Sequence, residues 1–351
     1  MSILCGGATR LISLFLVVVF VTLPITVGAE GQLSEGRYFV FTDRTLLKTL
    51  FGARHEFEGG FTADLTLGEA WTLHRLFKVS LATVAEYEVA QEDLGGSAAE
   101  VSVEQGEEGV GVRVALLDTG ISRSHAALSG SIGVCADSTR SSFSRGLCDD
   151  WHGHGTHSAG LVHAVSPRAT LDIYKTCDGS GRCFADDIAI VLEAALRDGA
   201  NIILLNMSGD TESSLINTQL QRAHGRGVLI ISPAGNRGPW EDSVGFPARD
   251  ERVIAVGALD ASARPAEFSS RGKVAVVASG VAISSTWPDG GYRVMSGTSV
   301  AASLVAGAAA NSWNGNAEDT QRALFAQALD LDEPGFDSVT GHGQIFLNVV
   351  P

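Results

Sequence analysis

Three short segments of the sequence carry side chains that together could perform nucleophilic catalysis. Asp118 follows an apolar run, His154 lies in the histidine-rich segment 152–157, and Ser299 ends the segment 296–299, Ser-Gly-Thr-Ser. A serine hydroxyl is a poor nucleophile at neutral pH, so a base must take its proton, and histidine titrates in the required range. An aspartate can orient the imidazole and stabilise the imidazolium. These residue types predict a nucleophile, a base and an orienting carboxylate.

Each segment alone also has a simpler interpretation. The run 117–120, Leu-Asp-Thr-Gly, is found in aspartic proteases, but those enzymes need two aspartates and this sequence contains a single Asp-Thr-Gly. The three histidines of 152–157 could bind a metal, and Ser299 could simply cap a helix. The combination favours catalysis, because a fourth motif, Ala234-Gly235-Asn236, lies between the histidine and the serine segments.

The elements that would position these residues begin at residue 110, where apolar runs typical of buried strands alternate with helical patterns. Residues 188–196 have apolar side chains at helical spacing, and Gly199 closes that helix. The alternation predicts an α/β fold with a doubly wound, mostly parallel sheet and helices on both faces. The predicted strands are 112–117, 171–174, 202–205, 228–231, 253–256 and 274–277.

The active site of such a sheet is expected at the carboxyl ends of its strands. Asp118 directly follows the first predicted strand, the segment 206–209 follows the third, and the segment 233–236 follows the fourth. The polar groups of all three segments are therefore expected to meet at one edge of the sheet.

The amino-terminal part of the chain is divided into three further segments. Residues 1–29 predict a cleavable signal peptide, because Arg10 precedes the apolar run 11–21 and small residues end the segment at 27–29. A membrane anchor is the alternative, but the run is shorter than the roughly 20 apolar residues of a spanning helix. The expected location is secreted, either extracellular or periplasmic.

Residues 30–95 predict a small α+β domain, and residues 96–109 have the composition of a linker or processing region. Within the small domain, residues 38–41 and 79–89 are predicted strands, and residues 67–77 have helical spacing. The remaining residues, 110–351, form the predicted catalytic domain.

The net charge of −15 disfavours a nucleic acid partner, because binding phosphates requires a basic surface. No segment indicates a metal site. A structural calcium ion is compatible with the sequence, but no loop has an EF-hand or a similar calcium-binding motif. Four cysteines follow the predicted signal peptide and can pair in three ways. Short loops favour Cys135–Cys148 and Cys177–Cys183.

The four ordered motifs resemble those of the subtilisin-like serine proteases, the subtilases, and the resemblance extends from about residue 112 to residue 348. It implies Asp118, His154 and Ser299 as a catalytic triad, with His157 in a structural role. It also implies that Asn236 donates its amide to an oxyanion hole. The residues implied in substrate binding are Ser208, Gly209, Ala234 and Gly235.

The resemblance extends to the small domain, whose segment 57–65 is similar to part of an inhibitory propeptide of ferredoxin-like fold. One departure from the family bears on the substrate cleft, because Asp210 follows Ser208-Gly209 where leucine and glycines are usual.

The sequence as a whole predicts a secreted serine endopeptidase, made as a self-processing zymogen, that needs no cofactor for catalysis. Its expected partners are polypeptide substrates and its own propeptide, which would act as an intramolecular inhibitor of a monomer. The alternative is a catalytically silent binding protein of the same fold, which covalent labelling of Ser299 would distinguish.

Overall fold

The computed structural model describes residues 33–91, 99–101, 109–331, 334–347 and 349–350. The predicted signal peptide and most of the predicted linker lie outside these residues. We call residues 33–90 the N-terminal unit and residues 109–347 the C-terminal unit. Among the helices described, none is both long enough and apolar enough to cross a bilayer.

Strands and helices are numbered in chain order. The strands are Gly36–Phe41 (β1), His55–Phe57 (β2), Gly60–Leu65 (β3), Ser80–Thr83 (β4), Glu86–Val89 (β5), Ala99–Val101 (β6), Arg113–Asp118 (β7), Ile132–Asp137 (β8), Ser144–Arg145 (β9), Thr170–Lys175 (β10), Arg182–Phe184 (β11), Ile202–Leu205 (β12), Met207–Ser208 (β13), Leu229–Pro233 (β14), Ile254–Leu259 (β15), Val276–Ser279 (β16), Ile283–Thr286 (β17), Tyr292–Met295 (β18) and Val349–Val350 (β19). The α-helices are Thr45–Leu50 (α1), Leu67–Arg75 (α2), His154–Val165 (α3), Ala185–Arg197 (α4), Ser214–Gly225 (α5), Thr298–Asn311 (α6) and Ala317–Gln327 (α7).

The N-terminal unit is a four-stranded antiparallel sheet in the order β2-β3-β1-β4, with two helices in a βαββαβ connection. This is the ferredoxin-like arrangement that was expected. Helix α2 begins where Thr66 and Glu69 form a capping box, and its buried residues Ala70 and Leu73 pack on the sheet.

The C-terminal unit is built on an eight-stranded sheet in the order β16-β15-β14-β12-β7-β10-β8-β9, parallel except for the edge strand β9. Alternate side chains of β7 enter two different cores. Val114 and Leu116 pack in the core that includes α3 and α6, whereas Ala115 and Leu117 pack in the core that includes α4 and α5. Because both faces of the sheet are covered by helices, the predicted doubly wound α/β fold is confirmed.

One predicted element differs from the structure. The segment 79–89 was expected to be a single strand, but it forms β4 in the sheet of the N-terminal unit and β5 in a different sheet. Strand β5 is antiparallel to β11 on one side and to β13 on the other. The alternation of side chains continues through both strands because each is extended, although the half-buried Leu81 of β4 packs on the N-terminal unit and Tyr87 of β5 packs in the C-terminal unit.

The structure contains the two favoured disulfides, Cys135–Cys148 and Cys177–Cys183. Cys183 lies in the middle of β11, so the second disulfide ties this strand to the residue that precedes the turn 178–181. Strand β6 is parallel to β17, which attaches the chain just after the first gap to the C-terminal unit.

Candidate active site

The structure brings together Asp118, His154 and Ser299, which come from three separate elements. Asp118 is the last residue of β7, His154 the first of α3 and Ser299 the second of α6. His154 Nδ1 lies 2.7 Å from Asp118 Oδ1, and His154 Nε2 lies 2.9 Å from Ser299 Oγ. All three side chains are buried. This geometry allows a proton to move from the hydroxyl to the imidazole while the carboxylate holds the ring.

The carboxylate of Asp118 is held by donors on both oxygens. Thr119 N–H donates to Oδ1 at 2.7 Å, and Asn206 Nδ2 donates to Oδ2 at 3.0 Å. Below it, the buried Lys175 donates to the carbonyl of Thr119 at 2.5 Å. Burial lowers the pKa of Lys175, which nearby carboxylates including Asp150 partly offset. These bonds fix the turn that aims Asp118 at the imidazole.

Asp150 organises the turn that leads into His154. Its carboxylate accepts hydrogen bonds from the backbone N–H groups of His152, Gly153 and Thr156 and from the Thr156 hydroxyl. Burial alone would raise the pKa of the Asp150 carboxyl, but these hydrogen bonds outweigh burial and hold the pKa below its usual range. Asp150 therefore satisfies the N–H groups of Gly153 and Thr156 at the start of α3, while Thr119 Oγ1 accepts from Gly155 N–H.

Gly153 is required at the cap of this helix for two reasons. Its φ of 108° lies in the left-handed region, and a Cβ there would lie 2.2 Å from the ring of Trp287. His157, one turn further along α3, donates from Nε2 to the carbonyls of Ile283 and Arg293 at 3.1 Å. Burial lowers the pKa of His157 to about 4, so its ring is neutral at pH 7.

Asn236 lies beside the nucleophile with its amide orientation fixed. Its Oδ1 accepts hydrogen bonds from the backbone N–H of Thr298 at 3.0 Å and from the Thr298 hydroxyl at 2.8 Å. Asn236 Nδ2 is buried and has no hydrogen-bond partner within the described residues. A buried donor of this kind is costly unless an acceptor arrives, and a developing oxyanion is such an acceptor.

The carbonyl of Ala90, the residue after β5, contacts the candidate nucleophile. It accepts a hydrogen bond from Ser299 Oγ at 2.6 Å and from Ser299 N–H at 3.3 Å. Gly297 permits this approach, because a Cβ at this position would lie 2.3 Å from the Ala90 oxygen. The N-terminal unit thus presents a peptide carbonyl to the serine.

Strand β5 occupies the cleft as an added strand between β11 and β13. Glu88 is opposite Arg182 on one side and Ser208 on the other. The predicted substrate-binding residue Ser208 therefore pairs with this strand through its backbone. Gly235 lies next to it, since a Cβ on Gly235 would be 2.9 Å from Ser208 Oγ, and the buried Ala234 precedes it.

Tyr87 of the added strand fills a deep pocket in the C-terminal unit. Its ring is 1% exposed and lies 6.0 Å from the ring of Phe246, and its hydroxyl donates to the Thr211 carbonyl at 2.7 Å. Gly209 makes room for the ring, because a Cβ there would lie 2.5 Å from Tyr87 Cδ1. Asp210, the residue at which the sequence departs from the family, is exposed, and its carboxylate pairs with Arg237.

Sequence reasoning missed several residues of this site. Strand β11 gave no signal, because it is three residues long and follows a polar, glycine-rich turn. Asp150 could have been noticed as an acidic residue four positions before His154, but its role depends on backbone donors that only the folded turn brings together.

Comparison with known proteins is consistent with the resemblance to the subtilases found in the sequence. The family model described as the subtilase family matches residues 109–343. A subtilisin of Bacillus sp. (strain TA39) is 33% identical over 320 residues, covering 76% of this chain and 76% of the relative. Subtilisin DY of Bacillus licheniformis is 35% identical over 218 residues, covering 59% of this chain and 78% of the relative.

Two solved structures are similar to this fold. Sphericase superposes with a TM-score of 0.65 at 30% identity and covers 71% of this chain and 93% of its own. The S41 psychrophilic protease gives a TM-score of 0.64 at 33% identity and covers 68% of this chain and 92% of its own. With the match over residues 109–343, these likenesses establish that the chain belongs to the subtilase family of serine endopeptidases.

Proposed function

We propose that the chain is a secreted serine endopeptidase, made as a zymogen, whose catalytic triad is Asp118, His154 and Ser299. The observation that carries the proposal is the Ala90 carbonyl, whose oxygen lies 2.6 Å from Ser299 Oγ while β5 is paired as a peptide substrate would be. The serine hydroxyl thus lies within hydrogen-bond distance of both a peptide carbonyl and an imidazole.

In the proposed mechanism, Ser299 Oγ attacks the carbonyl carbon of the substrate as its proton moves to His154 Nε2. The negative charge that develops on the carbonyl oxygen is met by the N–H of Ser299 and by Asn236 Nδ2. His154 returns the proton to the leaving amine, and an acyl-enzyme forms. Water then attacks the acyl-enzyme with His154 again acting as base, which releases the acid and restores the serine.

Asp118 supports both proton transfers by accepting from His154 Nδ1, and Asn206 keeps the carboxylate in place. Each proton transfer uses a group of this chain, so we propose no cofactor. The partly exposed segment of β13 and the turn at 234–236 would bind polypeptide substrates in the position of β5.

The first bond to be cleaved would be Ala90–Gln91, in the precursor itself. Cleavage there turns Ala90 into a carboxyl terminus that stays in the cleft, with β5 still paired and Tyr87 still in its pocket. The N-terminal unit would therefore remain as an inhibitory propeptide until it dissociates or is degraded. The apolar run at 11–21, two disulfides and the likeness to subtilisins support secretion.

The test compares the wild-type precursor with Ser299→Ala. We expect the wild type to yield a mature chain beginning at Gln91 and to react covalently with a fluorophosphonate, and we expect the variant to do neither. The same amino terminus in the Ser299→Ala chain would argue against self-cleavage. A wild-type chain that stays unlabelled would instead favour the catalytically silent binding protein.

A further inference from the structure

Two adjacent carboxylates, Asp186 and Asp187, lie in the first turn of α4 under the N-terminal unit. Both side chains are buried, at 0% and 1% exposure. In the described part of the chain, the side-chain hydrogen bonds of both carboxylates come from four residues of the N-terminal unit: Arg37, Arg54, His55 and Thr62. Removing the N-terminal unit would leave both carboxylates without these partners.

The site between the carboxylates is occupied by a guanidinium. Arg37 Nη1 lies 3.1 Å from Asp186 Oδ1 and 2.6 Å from Asp187 Oδ2. The centre of the same guanidinium lies 3.8 Å from the centroid of the Phe184 ring. A planar cation is thus held at its edge by two anions and on its face by an aromatic ring, which is the recognition geometry that suits arginine rather than lysine. We call Phe184, Asp186 and Asp187 the guanidinium cradle.

A metal ion fits this position poorly. His55, Asp186 and Asp187 bring three ligand atoms close together. However, His55 belongs to the N-terminal unit, so the three ligands are together only in the precursor, where Arg37 and Arg54 already contact the Asp187 carboxylate and a further cation would be repelled. Once the N-terminal unit leaves, the two carboxylates remain beside the Phe184 ring, whose face suits a planar organic cation. The cradle therefore suits an organic cation better than a metal ion.

The guanidinium cradle is continuous with the substrate cleft. Phe184 is the last residue of β11 and lies opposite Glu86 of the added strand. The ladder continues one step further, where Ala185 N–H donates to the Ala85 carbonyl at 3.0 Å. Val84 N–H then donates to the Arg37 carbonyl at 3.0 Å, which places Arg37 beside the residue that precedes Ala85. The residues of a substrate that lie on the amino-terminal side of the paired segment would therefore pass close to the cradle.

We propose that the guanidinium cradle of the mature enzyme binds an arginine side chain of the polypeptide substrate, upstream of the five residues that occupy the cleft as residues 86–90 do. This inference rests on the proposed function, because the cradle is uncovered only when the N-terminal unit leaves. Uncovered, the two carboxylates repel each other at close range, and an arriving guanidinium relieves that repulsion. In the zymogen, Arg37 occupies the same position and blocks it.

The experiment measures kcat/KM of the mature enzyme on fluorogenic peptides that follow residues 80–90 of the chain. Arginine is placed in turn at the positions of residues 82, 83 and 84, and each peptide is paired with one that has citrulline there, which has nearly the same shape without the charge. At the best position and low salt, we expect the arginine peptide to be cleaved about 10-fold more efficiently, as expected for a partly desolvated ion pair. Added salt should reduce this ratio.

The enzyme variant that tests the cradle is the double substitution Asp186→Asn and Asp187→Asn. It should bring the arginine-to-citrulline ratio to about one. The matched control is Glu193→Gln, which removes a carboxylate from a later turn of the same helix, where it pairs with Arg197, and should keep the ratio. A peptide that begins at the position of Glu86 lacks the upstream residues that would reach the cradle carboxylates, so it serves to normalise the activity of each variant.

The outcomes separate the two proposals. Cleavage of the short peptide with no preference for arginine at any position would overturn the cradle alone. A preference that persists in the double variant would also overturn it, because the arginine would then be bound elsewhere. If the mature chain cleaves none of the peptides, the proposed function fails and the inference fails with it.

Discussion

At the scale of single residues, the amide of Asn236 is held through its oxygen, while its nitrogen is buried without a partner among the described residues. We expect Asn236→Ala to lower kcat by about 10²–10³, or roughly 2.7–4 kcal/mol, the known effect of losing this donor in a subtilisin. KM should change little, because the donor is used when charge develops. Steady-state kinetics on a short peptide would check this, and a loss confined to KM would contradict the role.

His157 predicts a pH dependence of folding that is separate from catalysis. Its pKa is lowered by burial from 6.5 to about 4, so the unfolded chain binds a proton in this range and the folded chain does not. Stability is then full above about pH 6.5 and falls as the pH drops towards 4, by about 3 kcal/mol at most. His157→Gln, which keeps a donor for the two carbonyls, should flatten this dependence.

Urea unfolding at pH 7 and pH 4.5 would measure the effect of His157, in the Ser299→Ala background to prevent self-digestion. His224→Gln is the control, because His224 is exposed and should leave the pH dependence unchanged. An unchanged slope in the His157 variant would show that another group causes the acid sensitivity.

The residues of the candidate site were predictable where a motif names them. Asp118, His154, Ser299 and Asn236 were all selected from short patterns, and the structure brings them together. The supporting residues Asp150 and Lys175 were not, because a buried charge carries no local pattern that identifies its partners. Their roles arise from donors and acceptors that are distant along the chain.

At the scale of elements, the pocket that receives Tyr87 depends on the missing side chain of Gly209. A Cβ at this position would lie 2.5 Å from Tyr87 Cδ1. We expect Gly209→Ala to lower kcat/KM about 10-fold or more for a peptide based on residues 86–90, since overpacking costs about 1–3 kcal/mol. The loss should be smaller when alanine replaces the tyrosine of the peptide. Equal losses for both peptides would place the clash at the Glu86 carbonyl instead, which a Cβ would approach to 2.9 Å.

The Cys177–Cys183 disulfide supports β11, the strand that pairs with β5 and that we propose to pair with substrate. It closes a loop with a sequence separation of 6, so replacing both cysteines with serine should cost about 2 kcal/mol of stability. Because Cys183 lies within β11, we also expect KM to rise more than kcat falls. Replacing Cys135 and Cys148, which are 13 residues apart, is the control and should cost about 3 kcal/mol with little change in KM. Similar KM values in both variants would show that the Cys177–Cys183 disulfide has no specific effect on substrate binding.

Six of the eight strands of the large sheet were predicted, because strands buried on both faces give continuous apolar runs. Strands β8 and β9, at one edge of the sheet, were not predicted, since only the last two residues of β8 are buried and β9 has two residues. The segment 79–89 shows where this reasoning stops. Its alternation indicates extended chain, but it does not say which sheet each half joins, and the division into β4 and β5 follows from contacts with two different units. Short strands such as β11 and β13 gave no periodic signal at all.

At the scale of the whole molecule, a small α+β domain over residues 30–95 and a larger α/β domain over residues 110–351 were predicted from the sequence. The interface between them was not, because it depends on pairs such as Arg37 with Asp186 and Tyr87 with the pocket at Gly209, which are far apart along the chain. The unit that covers the cleft also covers a charged surface next to it.

Strand β6 has a consequence for the kinetic order of the proposed self-cleavage. It pairs with β17, so residues 99–101 stay with the C-terminal unit whichever bond near residue 90 is broken. The scissile bond then lies between β5 and β6, both of which are paired with the C-terminal unit of the same molecule that would cleave it. We expect the half-life of the precursor to be the same across a hundredfold dilution, as gel electrophoresis of timed samples would measure. A half-life that lengthens on dilution would mean that one molecule cuts another. Each molecule would thus mature at a rate set by its own folding and cleavage, and a higher local concentration of the precursor would not speed this maturation.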